Sequence, residues 1–534
     1  MPRNNALIPT AFALATATLL AACGSGAATP GAGAPASSGA GAATAGAGDG
    51  TLDVIGPYEV HSIEPETAEG IFTRLQVAET LVEAGPTGEL LPGLATEWNA
   101  SGNGLEWTFT LRDGAAFHDG TPVDAVAVVA ALDTARASEA NTITSAPIED
   151  IRAEGAAVVV ELSEPFAPLP AVLAATSTQI LAPSAYAEDG TVSEVVGSGP
   201  YKVVDVAPPA RIELEAHAEY DGAAPTVPEV VYQSVGRAEN RALMAQSGQA
   251  DIAFGMDPTS LQRIKDADGV SVESVLLPRT ILLKLNAGHP ALKDQRVRRA
   301  LSMALDRPAM ATAVLRDPEV AATQMFPPAL EAWHDADLAP LEHDAGAAAT
   351  LLDEAGWRAG ADGVRTKDGE PLSLTLLTFP DRPELPTLAT AIQAALAEVG
   401  VKVDVRVDNS SEIAAGHHDG SLDMALFARN FALVPDPTVT LLKDYPEAGG
   451  DWGSMGWNDP ALNTALDRLA TDADQAGTAA NDARLEVAGI LQEQQPVVPV
   501  AWYRQSAVVA DSVQGFELDP LERGWGLAGV SLGK

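Results

Sequence analysis

A chain of 534 residues is too long for a single hydrophobic core, and this length predicts about three domains. The sequence holds 73 Asp and Glu residues against 32 Lys and Arg residues, a net charge of -41 that would repel a phosphate backbone, so we expect no nucleic-acid partner. The acidic excess predicts a solvated surface that keeps the protein soluble, and a surface that binds cations is the alternative.

The amino terminus has the organisation of a secretory signal. Residues 1–5 carry Arg3 and the free amine, residues 6–20 are apolar, and small residues follow in the sequence Leu20-Ala21-Ala22-Cys23. Cys23 is the only cysteine of the chain, and its setting resembles a lipobox, in which the thiol is lipidated. We therefore predict a lipoprotein signal peptide over residues 1–23, with an ordinary cleavage site beside a stray cysteine as the alternative.

Residues 24–50 consist almost entirely of Gly, Ala, Ser, Pro and Thr. A Gly-rich segment of about 27 residues behaves as a flexible tether with an end-to-end distance on the order of 30 Å. No later apolar run of the sequence reaches the length of a membrane-spanning helix, so we expect the lipid on Cys23 to be the only anchor.

A predicted strand at residues 52–55 and a predicted helix at residues 71–82 follow the tether. The next strand is indicated by four apolar residues that alternate with polar ones and so share one face: Leu105, Trp107, Phe109 and Leu111. A helix comes after it, since Thr121 offers an N-cap hydroxyl, Pro122 fits the first turn, and Asp124 completes a capping box.

Both helices and strands are predicted in the later part of the chain. The run Gly197-Ser198-Gly199-Pro200-Tyr201 predicts a tight turn whose glycines adopt positive φ ahead of a strand. Apolar residues recur at helical spacing along an amphipathic helix capped by Asp294: Val297, Ala300, Leu301, Ala304 and Leu305. A strand at residues 372–379, a helix at residues 388–399 and a strand of alternating valines at residues 401–407 predict a βαβ unit, which is typical of parallel sheets.

Together these motifs resemble the signature of the extracytoplasmic solute-binding proteins of ABC importers, in the family that takes up oligopeptides, dipeptides and nickel. The family's Leu-Ala-x-x-Trp, Trp-Thr-Phe-x-Leu-Arg and Phe-x-x-Gly-x-Pro are met between residues 94 and 129. Its Gly-[ST]-Gly-Pro-[YW] turn is met at residues 197–201, and its Asp-x-x-Val-Arg-x-Ala-Leu-x-x-Ala helix at residues 294–304. The resemblance covers nearly everything from residue 51 to the end.

The fold that this resemblance implies is α/β, with two lobes of mixed sheets around a cleft, as in periplasmic binding proteins. We expect the first lobe at residues 51–285 and 500–534, with an inserted subdomain at about residues 83–195, and the second lobe at residues 286–499. The chain would cross between the lobes near Asn286 and near Pro499. A ligand that contacts both lobes would favour the closed state, and the importer would recognise closure.

Within the family the spacing of residues 421–439 is closer to the nickel-type branch than to the peptide-type branch. Peptide binders carry an aspartate here that pairs with the ligand's free amine, but Leu433 stands at the matching position, which leaves Glu66 as an alternative carboxylate. In the nickel-type branch a loop histidine reaches the metal, and the corresponding residues 441–452 contain no histidine.

Six residues are expected to frame the ligand cleft by the same resemblance: Glu66, Thr67, Asn141, Thr176, Arg429 and Phe431. Arg429 would orient a carboxylate and Phe431 would supply apolar area, which suits a small amphipathic anion or a modified peptide. We expect no cofactor and no metal ligand. The pair His417-His418 is interpreted as a solvated helix end, because adjacent histidines point in different directions.

The sequence thus predicts a monomeric, lipid-anchored receptor on the extracytoplasmic face of the cell membrane. It would deliver a peptide-like or other small organic solute to the permease and ATPase subunits of an ABC importer. One alternative is a receptor for nickel or a metal chelate, and another is a sensory receptor with the same fold. A secreted hydrolase is an alternative of a different class, but the sequence lacks Gly-x-Ser-x-Gly, His-Glu-x-x-His and a catalytic cysteine.

Overall fold

A computed structural model describes residues 50–380, 382–472 and 474–533, so the predicted signal peptide, the lipobox Cys23 and nearly all of the tether lie outside the described residues. The strands of the described part are, in chain order, β1 (Thr51–Gly56), β2 (Val82–Ala84), β3 (Leu90–Pro92), β4 (Ala95–Ala100), β5 (Glu106–Leu111), β6 (Ile148–Glu154), β7 (Ala157–Leu162), β8 (Tyr201–Ala207), β9 (Arg211–Ala216), β10 (Glu229–Ser234), β11 (Ile252–Phe254), β12 (Val270–Leu285), β13 (Arg358–Ala359), β14 (Arg365–Lys367), β15 (Glu370–Pro371), β16 (Ser373–Thr378), β17 (Lys402–Val407), β18 (Met424–Asn430), β19 (Val497–Ala510), β20 (Val513–Gln514) and β21 (Ser531–Leu532).

The helices of the same residues are α1 (Ile71–Arg74), α2 (Ala125–Arg136), α3 (Leu169–Val172), α4 (Ala238–Gln246), α5 (Pro258–Ile264), α6 (Gln295–Met303), α7 (Arg307–Met310), α8 (Ala345–Glu354), α9 (Glu384–Glu398), α10 (Ser411–Asp419), α11 (Pro437–Asp444), α12 (Pro460–Thr471) and α13 (Thr478–Gln494). Short 3₁₀ turns occur at Thr142–Ser145, Thr176–Thr178, Pro183–Ala185, Pro318–Val320 and Leu527–Gly529, and a π turn at Ala311–Leu315. Among the described residues no helix combines the length and the apolarity that crossing a bilayer requires.

One mixed sheet of ten strands runs through both lobes in the order β17-β16-β18-β12-β19-β11-β1-β10-β9-β8. The long strands β12 and β19 lie in its interior and pair antiparallel, from Val270 opposite Ala510 to Lys284 opposite Val497. Strands β16 to β18 continue the sheet beyond β12, and strands β11, β1, β10, β9 and β8 continue it beyond β19. The two long strands therefore connect the two halves of the molecule.

The described residues form two large hydrophobic cores, one on each side of this connection. The end of β12, from Ile281 to Leu285, packs in the second core, whereas Ala507 and Val509 of β19 pack in the first. The β12–β19 ladder is irregular between Leu277 and Thr280, close to the change from one core to the other. The fold is therefore α/β and two-lobed with mixed sheets, which confirms the predicted fold class.

A separate antiparallel sheet in the order β4-β5-β7-β6 lies within the first lobe, beside α2. The alternation predicted for β5 is confirmed, because its apolar side chains Trp107, Phe109 and Leu111 are buried. The predicted helix cap is wrong. The carboxylate of Asp124 caps α2 by accepting the amide of Ala127 at 2.9 Å, and Thr121 lies before the helix.

The helix predicted at residues 71–82 is a single turn, α1. It ends because Gln76 has a φ of 56° and the turn at residues 197–201 packs against the chain beyond it, with the amide of Gly199 donating to the carbonyl of Val77 at 2.9 Å. A Cβ atom would lie 2.1 Å from the Val77 oxygen at Gly197 and 2.2 Å from the Gln76 oxygen at Gly199. Close backbone approach, and not the positive φ that we predicted, explains these two glycines.

Two other local predictions are confirmed. Asp294 caps α6 by accepting the amide of Arg296 at 2.9 Å, and Val297, Ala300 and Leu301 of that helix are buried. Strands β16 and β17 pair in parallel and α9 connects them, which is the predicted βαβ unit.

Candidate functional site

A cavity of about 500 Å³ lies where the second lobe faces the part of the first lobe that contains α2. Thr142 lines it from the first lobe, and the other lining residues come from β18, α11 and the segments that follow each: Arg429, Leu433, Val434, Val439, Thr440, Lys443, Asp444, Gly450, Asp451 and Trp452. The lobes also touch directly, because the amide of Ala167 donates to the carbonyl of Ala470 at 2.7 Å. A cavity between two lobes is a preferred place for a small ligand.

Local sequence explains how the second-lobe wall of the cavity forms. Asp436 caps α11 through a backbone amide of the first turn, and Pro437 occupies the first helical position, where no amide hydrogen is needed. The loop after α11 then folds back on the helix end, since the amide of Ser454 donates to the carbonyl of Asp444 at 3.0 Å. This fold brings Lys443 and residues 450–452 to one wall.

Arg429 and Asp444 form an ion pair with two hydrogen bonds in this wall. The Nε of Arg429 donates to Oδ2 of Asp444 at 2.6 Å, and Nη2 donates to Oδ1 at 2.8 Å. The Arg429 side chain is 16% exposed and the Asp444 side chain is 3% exposed. Burial raises the pKa of Asp444, and the Arg429 guanidinium acts in the opposite direction.

Two cationic donors remain available to a ligand. The structure assigns no hydrogen bond or ion pair to the ammonium of Lys443 among the described residues, and none to Nη1 of Arg429. Partial desolvation and the nearby Arg429 guanidinium lower the pKa of Lys443. An anionic group in the cavity could therefore accept hydrogen bonds from Lys443 and from Nη1 of Arg429. The charge of Arg429 is already paired with Asp444, and Asp451 adds a carboxylate to the lining, so Lys443 is the main attraction for an anion.

Lys284 of β12 binds the loop after α11, which lines the cavity through residues 450–452. Its side chain is fully buried, and its Nζ donates to the carbonyls of Gly450 at 2.7 Å and Asp451 at 2.8 Å. The same nitrogen lies 3.0 Å from Nδ1 of His417 on α10. Burial lowers the pKa of Lys284 to about 8, and the nearby carboxylates of Asp451 and Asp444 act in the opposite direction.

Five of the six predicted ligand residues do not line this cavity, and three of them, Glu66, Thr67 and Thr176, have other surroundings. Thr67 donates its hydroxyl to that of Ser62 at 2.7 Å, and Glu66 is half-buried. Thr176 packs against Gly70, where an added Cβ atom would lie 3.0 Å from the threonine hydroxyl. Their contact with a ligand stays a prediction.

Asn141 is buried and does not line the cavity itself, but it precedes Thr142, which does. Its Oδ1 accepts the amide of Ile143 at 3.1 Å and its Nδ2 donates to the carbonyl of Ser177 at 2.6 Å, so it fixes the turn that presents Thr142. Arg429 lines the cavity as predicted, although its contact with a ligand stays a prediction.

Phe431, which is expected to pack on the ligand, does not line the cavity, and its contact with a ligand stays a prediction. Its side chain is completely buried, and its ring packs against that of Phe326 at a centroid distance of 5.2 Å. The ring therefore belongs to the second core. The apolar wall of the cavity includes Leu433 and Val434, which follow Phe431 closely in the chain. Leu433 is 59% exposed and Val434 is buried.

The sequence analysis did not single out Lys443, Thr142 or Trp452. The sequence shows only two adjacent charges, Lys443-Asp444, at the end of a helix that begins with Asp436-Pro437; the structure adds that Asp444 is buried and Lys443 exposed. Nothing in the local pattern of Thr142 indicated that it would face a segment of the second lobe.

Two lobes joined by two long strands, with a cavity between them, are the architecture expected of a solute-binding protein. Residues 89–450 match the family model described as "Bacterial extracellular solute-binding proteins, family 5 Middle". The chain belongs to this family of bacterial extracellular solute-binding proteins. Because members of the family bind solutes for transport, the protein is a binding protein and not an enzyme, which removes the hydrolase alternative.

Among its relatives is the nickel-binding periplasmic protein of Escherichia coli (strain K12), 26% identical over 402 residues that cover 72% of this chain and 75% of that protein. The probable D,D-dipeptide-binding periplasmic protein DdpA of the same strain is 26% identical over 446 residues, covering 80% of this chain and 82% of that protein. The crystal structure of NikA from Brucella suis in complex with Fe(III)-EDTA superposes with a TM-score of 0.80 at 25% identity, covering 90% of this chain and 99% of that one.

Proposed function

We propose that this protein captures a small organic solute bearing a carboxylate, such as a modified peptide, and delivers it to an ABC importer. The observation that carries the proposal is the Lys443 ammonium together with Nη1 of Arg429, two donors on one cavity between the lobes to which the described residues provide no acceptor. Charge-assisted hydrogen bonds to a carboxylate are stronger than neutral ones, and they would orient the solute.

The rest of the cavity supports an amphipathic solute. A volume of about 500 Å³ lies within the range typical of small-molecule sites. Leu433 and Trp452 offer apolar surface beside the two cations, and Thr142 offers a hydroxyl from the opposite lobe. A solute with an anionic end and an apolar body would contact all three kinds of group.

Delivery requires that the lobes open and close. We propose that they move about the two long strands, near residues 277–280 of β12 and residues 502–503 of β19, where the ladder is irregular. A solute held by Thr142 and by Lys443 would bridge the lobes and so stabilise the closed form.

The protein is further proposed to act as a monomer held at the extracytoplasmic face of the cell membrane by a lipid on Cys23. The support for this anchor is the sequence before and after the only cysteine, an apolar segment followed by a Gly-rich tether. The relatives named as periplasmic binding proteins support an extracytoplasmic location.

A second candidate is a receptor for a metal chelate. Two relatives support it, one named for nickel binding and one crystallised with Fe(III)-EDTA, a chelate rich in carboxylates. The same two cations would hold the carboxylates of such a chelator.

A thermal-shift screen of the purified protein tests both candidates. The compounds are short peptides, amino-acid conjugates, nickel alone and nickel with carboxylate chelators. A ligand at 100 times its dissociation constant should add about 2.7 kcal/mol to the free energy of unfolding. We expect stabilisation by a carboxylate-bearing organic solute; stabilisation only by chelated metal would favour the second candidate, and none by any carboxylate would refute both.

A further inference from the structure

We propose that His417, His418 and Asp451 form a binding site for a divalent transition-metal ion at the rim of the cavity. One ligand atom from each residue lies within 4.8 Å of the other two, and Nε2 of His418 is 3.2 Å from Oδ1 of Asp451. The three residues come from two segments, the end of α10 and the loop after α11. This inference rests on these side chains and does not require the proposed solute.

The fold brings three side chains together, although the sequence predicted that the two adjacent histidines would point in different directions. Adjacent residues on a helix are rotated by about 100°, and the rings of His417 and His418 are indeed close to perpendicular, at 84° with centroids 5.4 Å apart. The loop carrying Asp451 passes beside the last turn of α10, so its carboxylate lies near both imidazoles. The helix ends there at Gly420, which has a φ of 78°.

Lys284 contacts both segments that carry the three proposed ligands. It anchors the backbone on both sides of the Gly450–Asp451 peptide and contacts Nδ1 of His417, so Nε2 is the nitrogen of that ring left for an ion. This contact, together with the two carbonyl contacts of the same nitrogen, holds the His417 ring and the loop of Asp451 in fixed positions relative to each other.

The donor set selects the class of ion. Two imidazoles and one carboxylate suit Zn²⁺, Ni²⁺, Co²⁺ or Cu²⁺ better than Mg²⁺ or Ca²⁺, which prefer oxygen ligands. The His418 side chain is 72% exposed and that of Asp451 is 34% exposed, so water can complete the coordination. Asp451 also lines the cavity, which places the ion at its edge.

Isothermal titration of the purified protein with zinc chloride, after passage over a chelating resin, tests the site. The variants are His418→Ala and Asp451→Asn, and the matched control is His61→Ala. His61 is also an exposed histidine beside a carboxylate, with a side chain 71% exposed and Nε2 at 2.9 Å from Glu59. It is not one of the three proposed ligands.

We expect one zinc ion per chain for the wild type and for His61→Ala, and binding at least about tenfold weaker in each of the other two variants. Equal binding in all four proteins, no binding by the wild type, or an equal loss in the control would overturn the site. Because both substituted side chains reach solvent, urea unfolding of the metal-free variants should match the wild type. Stabilisation by an organic solute in the thermal-shift screen should persist in His418→Ala, which separates this test from that of the proposed function.

Discussion

The guanidinium of Arg429 and the carboxylate of Asp444 are joined by two hydrogen bonds of 2.6 and 2.8 Å inside the second-lobe wall of the cavity. The pair links the end of β18 to the end of α11, and within the described part of the chain Nη1 of the arginine has no acceptor. It therefore has a structural role, to hold the wall together, and offers a donor to a ligand.

Asp444→Ala should destabilise the protein by about 3 to 5 kcal/mol, because removal of one partner leaves the other charge poorly compensated in a largely buried place. The control is Glu486→Ala, which breaks an ion pair with Arg468 whose side chains are 42% and 47% exposed, and which should cost less than about 1 kcal/mol. Urea unfolding measures both. A small, equal cost in the two variants would mean that the cavity wall does not depend on this pair.

Lys443→Met should weaken binding of a carboxylate-bearing solute by about tenfold or more, since it removes a charged donor while keeping much of the side-chain volume. Stability should change little, because the described residues form no ion pair with Lys443 and its side chain is exposed. Titration calorimetry with the strongest ligand of the screen measures the effect, and Lys402→Met is the control, being an exposed lysine of β17 at 3.5 Å from Asp404. Unchanged affinity in Lys443→Met would remove this lysine from the site.

The buried Lys284 predicts an unusual dependence of stability on pH. Its pKa is about 8 in the folded protein, below the ordinary 10.5, so between these values the unfolded chain binds more protons. Stability from this group must therefore rise as the pH rises from about 8 to about 10.5, by on the order of 3 kcal/mol. Below pH 8 both states are protonated and the cost of burying the charge is fully present.

The measurement is the free energy of unfolding of the wild type minus that of Lys284→Met at pH 7.5 and at pH 10, which cancels the titration of other groups. The difference should move in favour of the wild type at the higher pH. Lys402→Met, on an exposed lysine, should show no such change. A difference that is flat with pH would show that Lys284 has an ordinary pKa.

Gly199→Ala should destabilise the protein by about 1 to 3 kcal/mol or more, because the new methyl group would lie 2.2 Å from the carbonyl oxygen of Gln76. Gly102→Ala is the matched control, since a Cβ atom there meets nothing within 4 Å and its φ is not positive. Urea unfolding compares the two. Equal stability of both variants would contradict the close-approach explanation of the turn at residues 197–201.

Cys23→Ala should release the protein from the membrane fraction, since this thiol is the proposed site of lipidation. Fractionation followed by immunoblotting measures the shift, and the released protein should unfold at the same urea concentration as the wild type. If the wild type already lies wholly in the soluble extracytoplasmic fraction, the lipid anchor is wrong.

Local sequence determined the elements whose chemistry is complete within a few neighbouring residues. The cap of α6 needs only Asp294 and the next amides, and the βαβ unit of β16, α9 and β17 follows from periods of two and of 3.6 in its apolar residues. The motif resemblance added the two-lobed fold. It did so because those motifs cover nearly the whole chain, and the family match over residues 89–450 agrees with it.

Tertiary structure alone decided how distant segments meet. α1 ends after one turn because the turn at residues 197–201 packs against Val77, and Phe431 turns into the second core because Phe326 lies there. The cavity joins Thr142 to Lys443, and the proposed metal site joins His418 to Asp451. Such contacts depend on how loops close over tens or hundreds of residues, and the side-chain periodicity of a single helix or strand carries no information about that closure.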